Sequence, residues 1–252
     1  MKSPLWGARI GNDSMKQVVL ITGGTMGIGQ GLAEAFLAQG DEVAVCGRSA
    51  EALEAFTRAH PQALAIKADV TKSLDRAAML EAVANRFGRL DVLVNNAGRF
   101  VERDFLRSDA AKDLEDEITL NLTAPIQLTA EVLERWPKPA ALIFVTSGFA
   151  LVSPTRAPTY GAVKAGLHGF AEGLRRQLAP NGTHVLELLP TTTDTPGTAH
   201  ETRKKMTTTE VAAVTLKALA RHRDMALPGP MKMLPTLLRI APNATKRMVA
   251  DI

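Results

Sequence analysis

Six short apolar runs recur along the chain: QVVLIT (17–22), EVAVC (42–46), ALAIKA (63–68), LDVLVNN (90–96), ALIFVTS (141–147) and HVLELLP (184–190). Each has the length of a strand and is apolar on successive residues, the pattern of a strand buried on both faces as in a parallel sheet. Stretches with helical spacing lie at 29–39, 50–59, 73–87, 110–136, 158–178 and 207–222; in the first, Leu32, Ala33, Phe36 and Leu37 make one broad apolar stripe. Strand–helix alternation over the whole chain predicts an α/β fold built on a doubly wound parallel sheet with helices on both faces. No internal repeat, low-complexity stretch or linker interrupts the pattern, so one domain is expected over 15–252.

Several function classes conflict with this chain. Cys46 is the only cysteine, so an internal disulfide and a cysteine-based metal site are excluded, and no metal is expected. That usage suits a reducing cytoplasm. Thirty basic residues against twenty-six acidic ones leave +4, with the basic residues scattered, and aromatics are only 4%. The chain therefore offers neither a basic patch nor a stacking surface for nucleic acid. No apolar run approaches the roughly 18 residues needed to span a bilayer. Residues 1–14, MKSPLWGARIGNDS, lack the apolar region of a secretory signal and read as a flexible extension ahead of a second methionine, Met15. The segment 230–252 has two internal prolines and apolar residues interleaved with Lys232, Arg239, Lys246 and Arg247. Its prolines predict short helices packed on a neighbour. A lid over an apolar substrate or a peripheral membrane contact is the alternative.

The first run leads into TGGTMGIG (22–29), and a helical stripe begins at once. A tight strand-to-helix turn needs glycine dihedrals, a missing side chain lets the backbone approach a pyrophosphate, and the helix N-terminus offers free N–H groups to the anion. Gly23, Thr25, Met26, Gly27, Ile28 and Gly29 are thus candidate dinucleotide contacts. After the second run, where a carboxylate would accept from a ribose 2′-hydroxyl, the chain has Gly47 and then Arg48. A guanidinium there grips a 2′-phosphate, which favours NADP(H) over NAD(H); the alternative is an arginine in solvent.

TGGTMGIG, NNAG (95–98), Asn121, Ser147 and YGAVK (160–164), in this order and at these spacings, resemble the short-chain dehydrogenase/reductase family over about residues 16–227. The resemblance implies a Rossmann-like sheet and an oxidoreductase that interconverts a carbonyl and an alcohol by hydride transfer. It assigns catalysis to Asn121, Ser147, Tyr160 and Lys164. It places Asn95, Ala97 and Gly98 against the adenosine half of the cofactor, and Asp69 and Val70 at the adenine ring, although Asp69 could equally cap the next helix.

Tyr160 is the only tyrosine in the chain, and Lys164 follows it at i+4, so the two share a helix face. A nearby ammonium is expected to lower the phenol's pKa and ready it for proton transfer. Ser147 ends the fifth run, where a hydroxyl can hydrogen-bond a substrate oxygen; Thr146 and Ser153 compete for that role. Asn121 is assigned by the resemblance to a proton relay from the lysine, with a helix bend before Pro125 as the bland alternative.

The chain also departs from the family. In LPTTTDTPGT (189–198), Pro190 and Thr195 match, but Thr191 stands where a glycine is usual, so the expected contacts of Thr193 and Thr195 with the cofactor rest on a loop of altered course. Where relatives end in a short strand and a glycine-rich tail, this chain has MALPG (225–229) and the proline-interrupted tail. The expectation is an NADP(H)-dependent reductase of a hydrophobic carbonyl substrate, contacted by residues 148–158 and 192–207 and by the C-terminal tail, as a homodimer or homotetramer. A non-catalytic nucleotide sensor on the same fold is the alternative.

Overall fold

Runs that are apolar at every residue become strands with no exposed face. β1 (Val18–Thr22), β4 (Val92–Asn95) and β5 (Ala141–Val145) are buried throughout. β2 (Glu42–Gly47) and β6 (His184–Leu188) are buried except at their ends, and β3 (Leu64–Lys67) lies at the sheet edge, partly exposed. This computed structural model describes residues 16–199, 202 and 204–250, so the extension expected at 1–14 lies outside the described residues.

The strands form one sheet in the order β3-β2-β1-β4-β5-β6-β7, parallel at every pairing. The seventh strand corrects an expectation. Met225–Ala226 pairs with Glu187 and Leu188, so a final strand exists where only a tail was expected. It is two residues long, and after Leu227 comes Pro228, which has no N–H to extend a ladder.

Helices cover both faces. α1 (Gly27–Ala38), α2 (Ala50–Ala59) and α7 (Thr208–Ala220) bring Leu32, Phe36, Phe56, Val211 and Leu216 onto Val19, Ile21 and Val45. The opposite face receives α3 (Ser73–Phe87), α5 (Ala124–Arg135) and α6 (Pro158–Leu178), whose Met79, Val83, Leu128, Leu167 and Leu174 meet Leu20, Leu93 and Phe144. Successive strand residues thus feed two separate cores, which is why the runs show no polar alternation.

The stripe at 110–136 is not one helix. Turns occupy most of its first residues, α4 is short (Leu114–Ile118), and a π-helical turn at Thr119–Thr123 separates it from α5. Past Ala226 the chain forms a 3₁₀ turn at Gly229–Met233, then α8 (Leu234–Ile240) and α9 (Pro242–Ala250), with Pro235 and Pro242 in the first turns where a missing N–H costs nothing. This tail lies on the segment after β5. Leu234 and Val249 are buried with Val152, flanked by Phe149, Leu151, Met231 and Leu238, and Thr155 N donates to Ala250 O at 2.8 Å.

Candidate active site

Parallel strands present all their carboxyl ends at one edge, and the strand order reverses between β1 and β4, which opens a crevice there. The glycine turn and NNAG meet in it. Gly23 (φ 63°) and Gly27 (φ 56°) are left-handed. A Cβ on Gly29 would stand 2.3 Å from Gly23 O, so only glycine closes this turn onto its helix. The turn is braced by Asn96, a residue for which the sequence suggested no task. Its Nδ2 donates to Thr22 O at 2.9 Å and Gly23 O at 3.1 Å, while Thr22 Oγ1 accepts from the N–H groups of Asn96 and Ala97.

The start of α1 fits an anion. Its N-cap, Met26, provides no side-chain cap, and no acidic residue lies in the first turn, so the leading N–H groups remain available for an oxyanion. Thr195 faces the same turn: a Cβ on Gly27 would lie 3.1 Å from its Cγ2. Thr191 does not adopt the left-handed conformation that a glycine there would permit, and the loop folds instead through threonine hydroxyls. Thr193 Oγ1 donates to Thr191 O at 2.8 Å and Thr198 Oγ1 to Thr193 O at 2.5 Å. Thr193 is buried, and Pro190 and Thr195 are partly exposed.

Beyond β2, Arg48 is exposed, and its charge reaches Asp69, whose carboxyl lies below its ordinary pKa. Burial opposes that shift, but hydrogen bonds from Thr71 N and Oγ1 to Asp69 Oδ1, at 3.0 and 2.7 Å, and the fields of Arg48 and Lys72 outweigh it. Asp69 therefore makes a turn with Thr71, and the cap position of α3 belongs to Lys72. The Val70 carbonyl is held by Arg76 Nη1 at 2.9 Å, and Arg76 in turn grips Glu131 of α5 with two nitrogens. Asn95 turns inward and donates to Thr129 Oγ1 at 3.1 Å, so its side chain serves the β4–α5 contact. Cys46, beneath the turn, is buried, and burial pushes its thiol up to about 12.

The second half of the crevice gathers the other candidates. The Ser147 hydroxyl acts on the Tyr160 phenol, working against burial in setting its pKa. Ser147 caps the short turn after β5 and accepts from Phe149 N at 3.1 Å, which leaves its own hydrogen for the phenol side. The rival hydroxyls have other neighbours: Thr146 Oγ1 donates to buried Glu187 at 2.6 Å, and Ser153 packs against the backbone of Gly161. Lys164 is buried, its Nζ donates to Val145 O at 3.0 Å, and the same atom lies 5.7 Å from the centre of the Tyr160 ring. Asn121, also buried, brackets the backbone of Arg99: Oδ1 accepts from Arg99 N at 3.2 Å, and Nδ2 donates to Arg99 O at 3.0 Å and to Glu117 O at 3.2 Å. It stands inside the π turn, the kind of break in a helix ladder that recurs at functional sites.

One electrostatic expectation is corrected. The lysine does not bring the phenol down. Burial pushes Tyr160 up to about 12, the Ser147 hydroxyl offsets only part of that, and the Glu117 carboxylate adds to the rise. Burial pushes Lys164 down to about 8, because the amine is held by a single carbonyl with no carboxylate beside it.

Aromatic rings wall the phenol: Phe149 comes from the stretch 148–158 expected to contact substrate, and Phe100 from outside it. Phe100 meets Tyr160 edge-on at 4.9 Å and Phe149 at 6.4 Å, with the Arg156 guanidinium 4.9 Å over the Phe100 ring. The tail completes this wall: a Cβ on Gly148 would fall 2.6 Å from Met231 Sδ. Of the segment 192–207, also expected near substrate, residues 200, 201 and 203 lie outside the described residues.

Comparison with known proteins agrees with this fold. A family model described as short chain dehydrogenase matches residues 17–206. The chain is 40% identical over 181 residues, 70% of its length and 71% of the relative's, to the uncharacterized oxidoreductase DltE of Bacillus subtilis. A short-chain dehydrogenase from Streptomyces avermitilis superposes with a TM-score of 0.81 at 26% identity, covering 94% of this chain and 98% of that one. Actinorhodin polyketide ketoreductase, solved with NADPH, gives 0.74 at 26% identity over 83% and 94%. The chain belongs to the short-chain dehydrogenase family and is an NAD(P)-dependent oxidoreductase of that family. Among the described residues, no helix is long and apolar enough to cross a membrane, and no group of metal-ligating side chains is present.

Proposed function

We propose that the protein is an NADP(H)-dependent reductase of a hydrophobic carbonyl compound, with Tyr160 as the proton donor. The observation that carries this reading is the Tyr160–Ser147 hydroxyl pair with the Lys164 amine buried beside it. When bound, the dinucleotide supplies hydride to the carbonyl carbon. Tyr160 gives its proton to the carbonyl oxygen, and a phenol held near 12 stays protonated until that oxygen becomes strongly basic. Ser147 holds the same oxygen as charge develops on it. Lys164 orients the nicotinamide ribose and returns a proton to the phenol, and the Asn121 turn carries the path towards solvent.

Gly23, Thr25, Met26, Gly27, Ile28, Gly29 and Thr195 would hold the pyrophosphate region, with Pro190 and Thr193 beside the nicotinamide. Asp69, Val70, Asn95, Ala97 and Gly98 would border the adenosine. The preference for a 2′-phosphate rests on Gly47 and the exposed guanidinium of Arg48. The preference for an apolar substrate rests on Phe100, Phe149 and the tail residue Met231 around the phenol. We read the protein as a homodimer or homotetramer, which sedimentation would decide.

The test is Tyr160→Phe assayed against a panel of ketones with NADPH and NADH. The variant should bind NADPH, seen by nicotinamide fluorescence, and lose about 10²–10⁴-fold in NADPH oxidation. Undiminished oxidation by the variant removes Tyr160 from the mechanism, and a preference of the wild type for short polar ketones removes the apolar substrate.

A further inference from the structure

Below the phenol lies a buried charge cluster that none of the roles above uses. Glu117 has no exposed surface, although it stands in the five-residue helix α4. Its Oε2 accepts from Arg103 Nη2 at 3.0 Å and from Thr159 Oγ1 at 2.8 Å, while Oε1 is buried with no hydrogen-bond partner. Arg103 is itself buried and donates through Nη1 to Ala110 O and Lys112 O at 2.5 and 2.6 Å, so one guanidinium gathers the loop between β4 and α4. The Glu117 backbone carbonyl accepts from the Asn121 amide. Thr159 immediately precedes Tyr160 on the first turn of α6.

This arrangement is costly. A buried carboxylate with one unpartnered oxygen loses solvation that a single ion pair does not fully return, and an apolar cluster of similar volume would often be at least as stable. A charge kept under such terms, one residue from the phenol's own backbone, suggests a task beyond stability.

We propose that Glu117 is a positioning residue for the phenol: through Thr159 it fixes where α6 begins, and its fixed negative charge holds Tyr160 in the protonated form. The inference rests on the reading of Tyr160 as proton donor. Charged groups stand on each element around the phenol. Lys164 stands on its own helix, Glu117 on α4 and Arg103 in the β4–α4 loop; Arg156, bonded to Glu102, precedes α6. Of these, Glu117 is the one whose field adds to burial in raising Tyr160, an effect in the same direction as the proposal.

The chain has a single tyrosine, so phenolate formation reports Tyr160 alone and needs neither substrate nor cofactor. The experiment compares full-length wild type with Glu117→Gln, each carrying biosynthetic 3-fluorotyrosine, which ionises at lower pH than tyrosine. The phenol is followed by ¹⁹F NMR and ultraviolet difference absorbance. The expected result is a titration midpoint shifted to lower pH in the variant, with any pH limb of carbonyl reduction that reports the phenol moving in the same direction. An unmoved or raised midpoint overturns the proposal.

Thr159→Val covers the case in which Glu117→Gln fails to fold. It keeps the charge and removes the tether, so the reduction kcat should fall several-fold while the KM for NADPH and the phenol midpoint stay at the wild-type values. An unchanged kcat there also overturns it. If the wild type reduces no carbonyl with either nicotinamide, the catalytic reading fails, while the cofactor-free titration still decides whether Glu117 governs the phenol.

Discussion

A Cβ placed on Gly98 would fall 2.6 Å from Asn121 Oδ1, and the same point lies 3.5 Å from Lys164 Nζ. The end of NNAG is thus a spacer of one missing methyl between the amide of the π turn and the amine beside the phenol. Gly98→Ala must push one of them aside. Overpacking of this kind costs about 1–3 kcal/mol. The variant should lose stability in that range by denaturant unfolding and lose most of its turnover. Full turnover would show that Asn121 and Lys164 need no fixed separation.

The amine of Lys164 sets a pH signature. Its pKa is about 8 in the fold against 10.5 for a free lysine. Below pH 8 it is charged in both folded and unfolded states, and the full cost of burying the cation is present. Between 8 and 10.5 the unfolded chain binds more protons, so this group makes stability rise with pH. Tyr160 acts oppositely but later, since its stabilising share is complete below 10 and is lost as pH climbs towards 12. Lys164→Met should therefore flatten the rise in melting temperature above pH 8. A wild-type curve that only declines there contradicts the buried amine.

Arg48 should discriminate between the dinucleotides. A charge-assisted hydrogen bond contributes about 1.5–3 kcal/mol, so Arg48→Ala should raise the KM for NADPH by about 10–100-fold and leave that for NADH nearly unchanged. Equal losses for both would assign Arg48 to the shared part of the molecule.

His168 and Glu187 form a second linked pair, on α6 and β6. His168 Nδ1 lies 2.8 Å from Glu187 Oε2, and that hydrogen bond, helped by the carboxylate's charge, holds the imidazole above its usual 6.5. A raised folded pKa contributes stability that is complete below 6.5 and is lost as pH rises through the elevated value. The melting-temperature gap between wild type and His168→Gln should be widest in mild acid and shrink on the alkaline side. A gap that widens with pH would mean that the imidazole is neutral throughout.

The tail should be felt in substrate binding. Leu234 is buried against Val152 and lies near Gly148. Leu234→Ala should cost about 2–5 kcal/mol if its site cannot collapse, and should raise the KM for an apolar ketone while that for NADPH holds. Unchanged kinetics would make the tail a purely structural cover.

What could be read from the sequence was what short-range pattern encodes. The run ALIFVTS announced a strand with a hydroxyl at its end, and the glycine spacing announced a turn, because both depend on neighbours in the chain. The pattern could not tell Thr146 from Ser147, since a one-residue difference sends them to opposite sides; the structure gives Thr146 to Glu187 and Ser147 to Tyr160. Arg103, Glu117 and Thr159 left no periodic trace, as they meet across 14, 42 and 56 positions. The π turn was hidden for a related reason. The apolar stripe continues through it, and only the bonds Asn121 makes to Arg99, 22 residues away, show why the ladder breaks there. Phe100 sits in a stretch without regular structure, where composition says nothing about which ring turns towards the phenol.

The tail that seals the wall beside Gly148 is synthesised after every strand of the sheet it rests on. A nascent chain can assemble the sheet and its dinucleotide crevice while the substrate side still stands open, and that side closes only when 229–250 leave the ribosome. The hydrogen bond from Thr155 N to Ala250 O is then among the last of the fold to form.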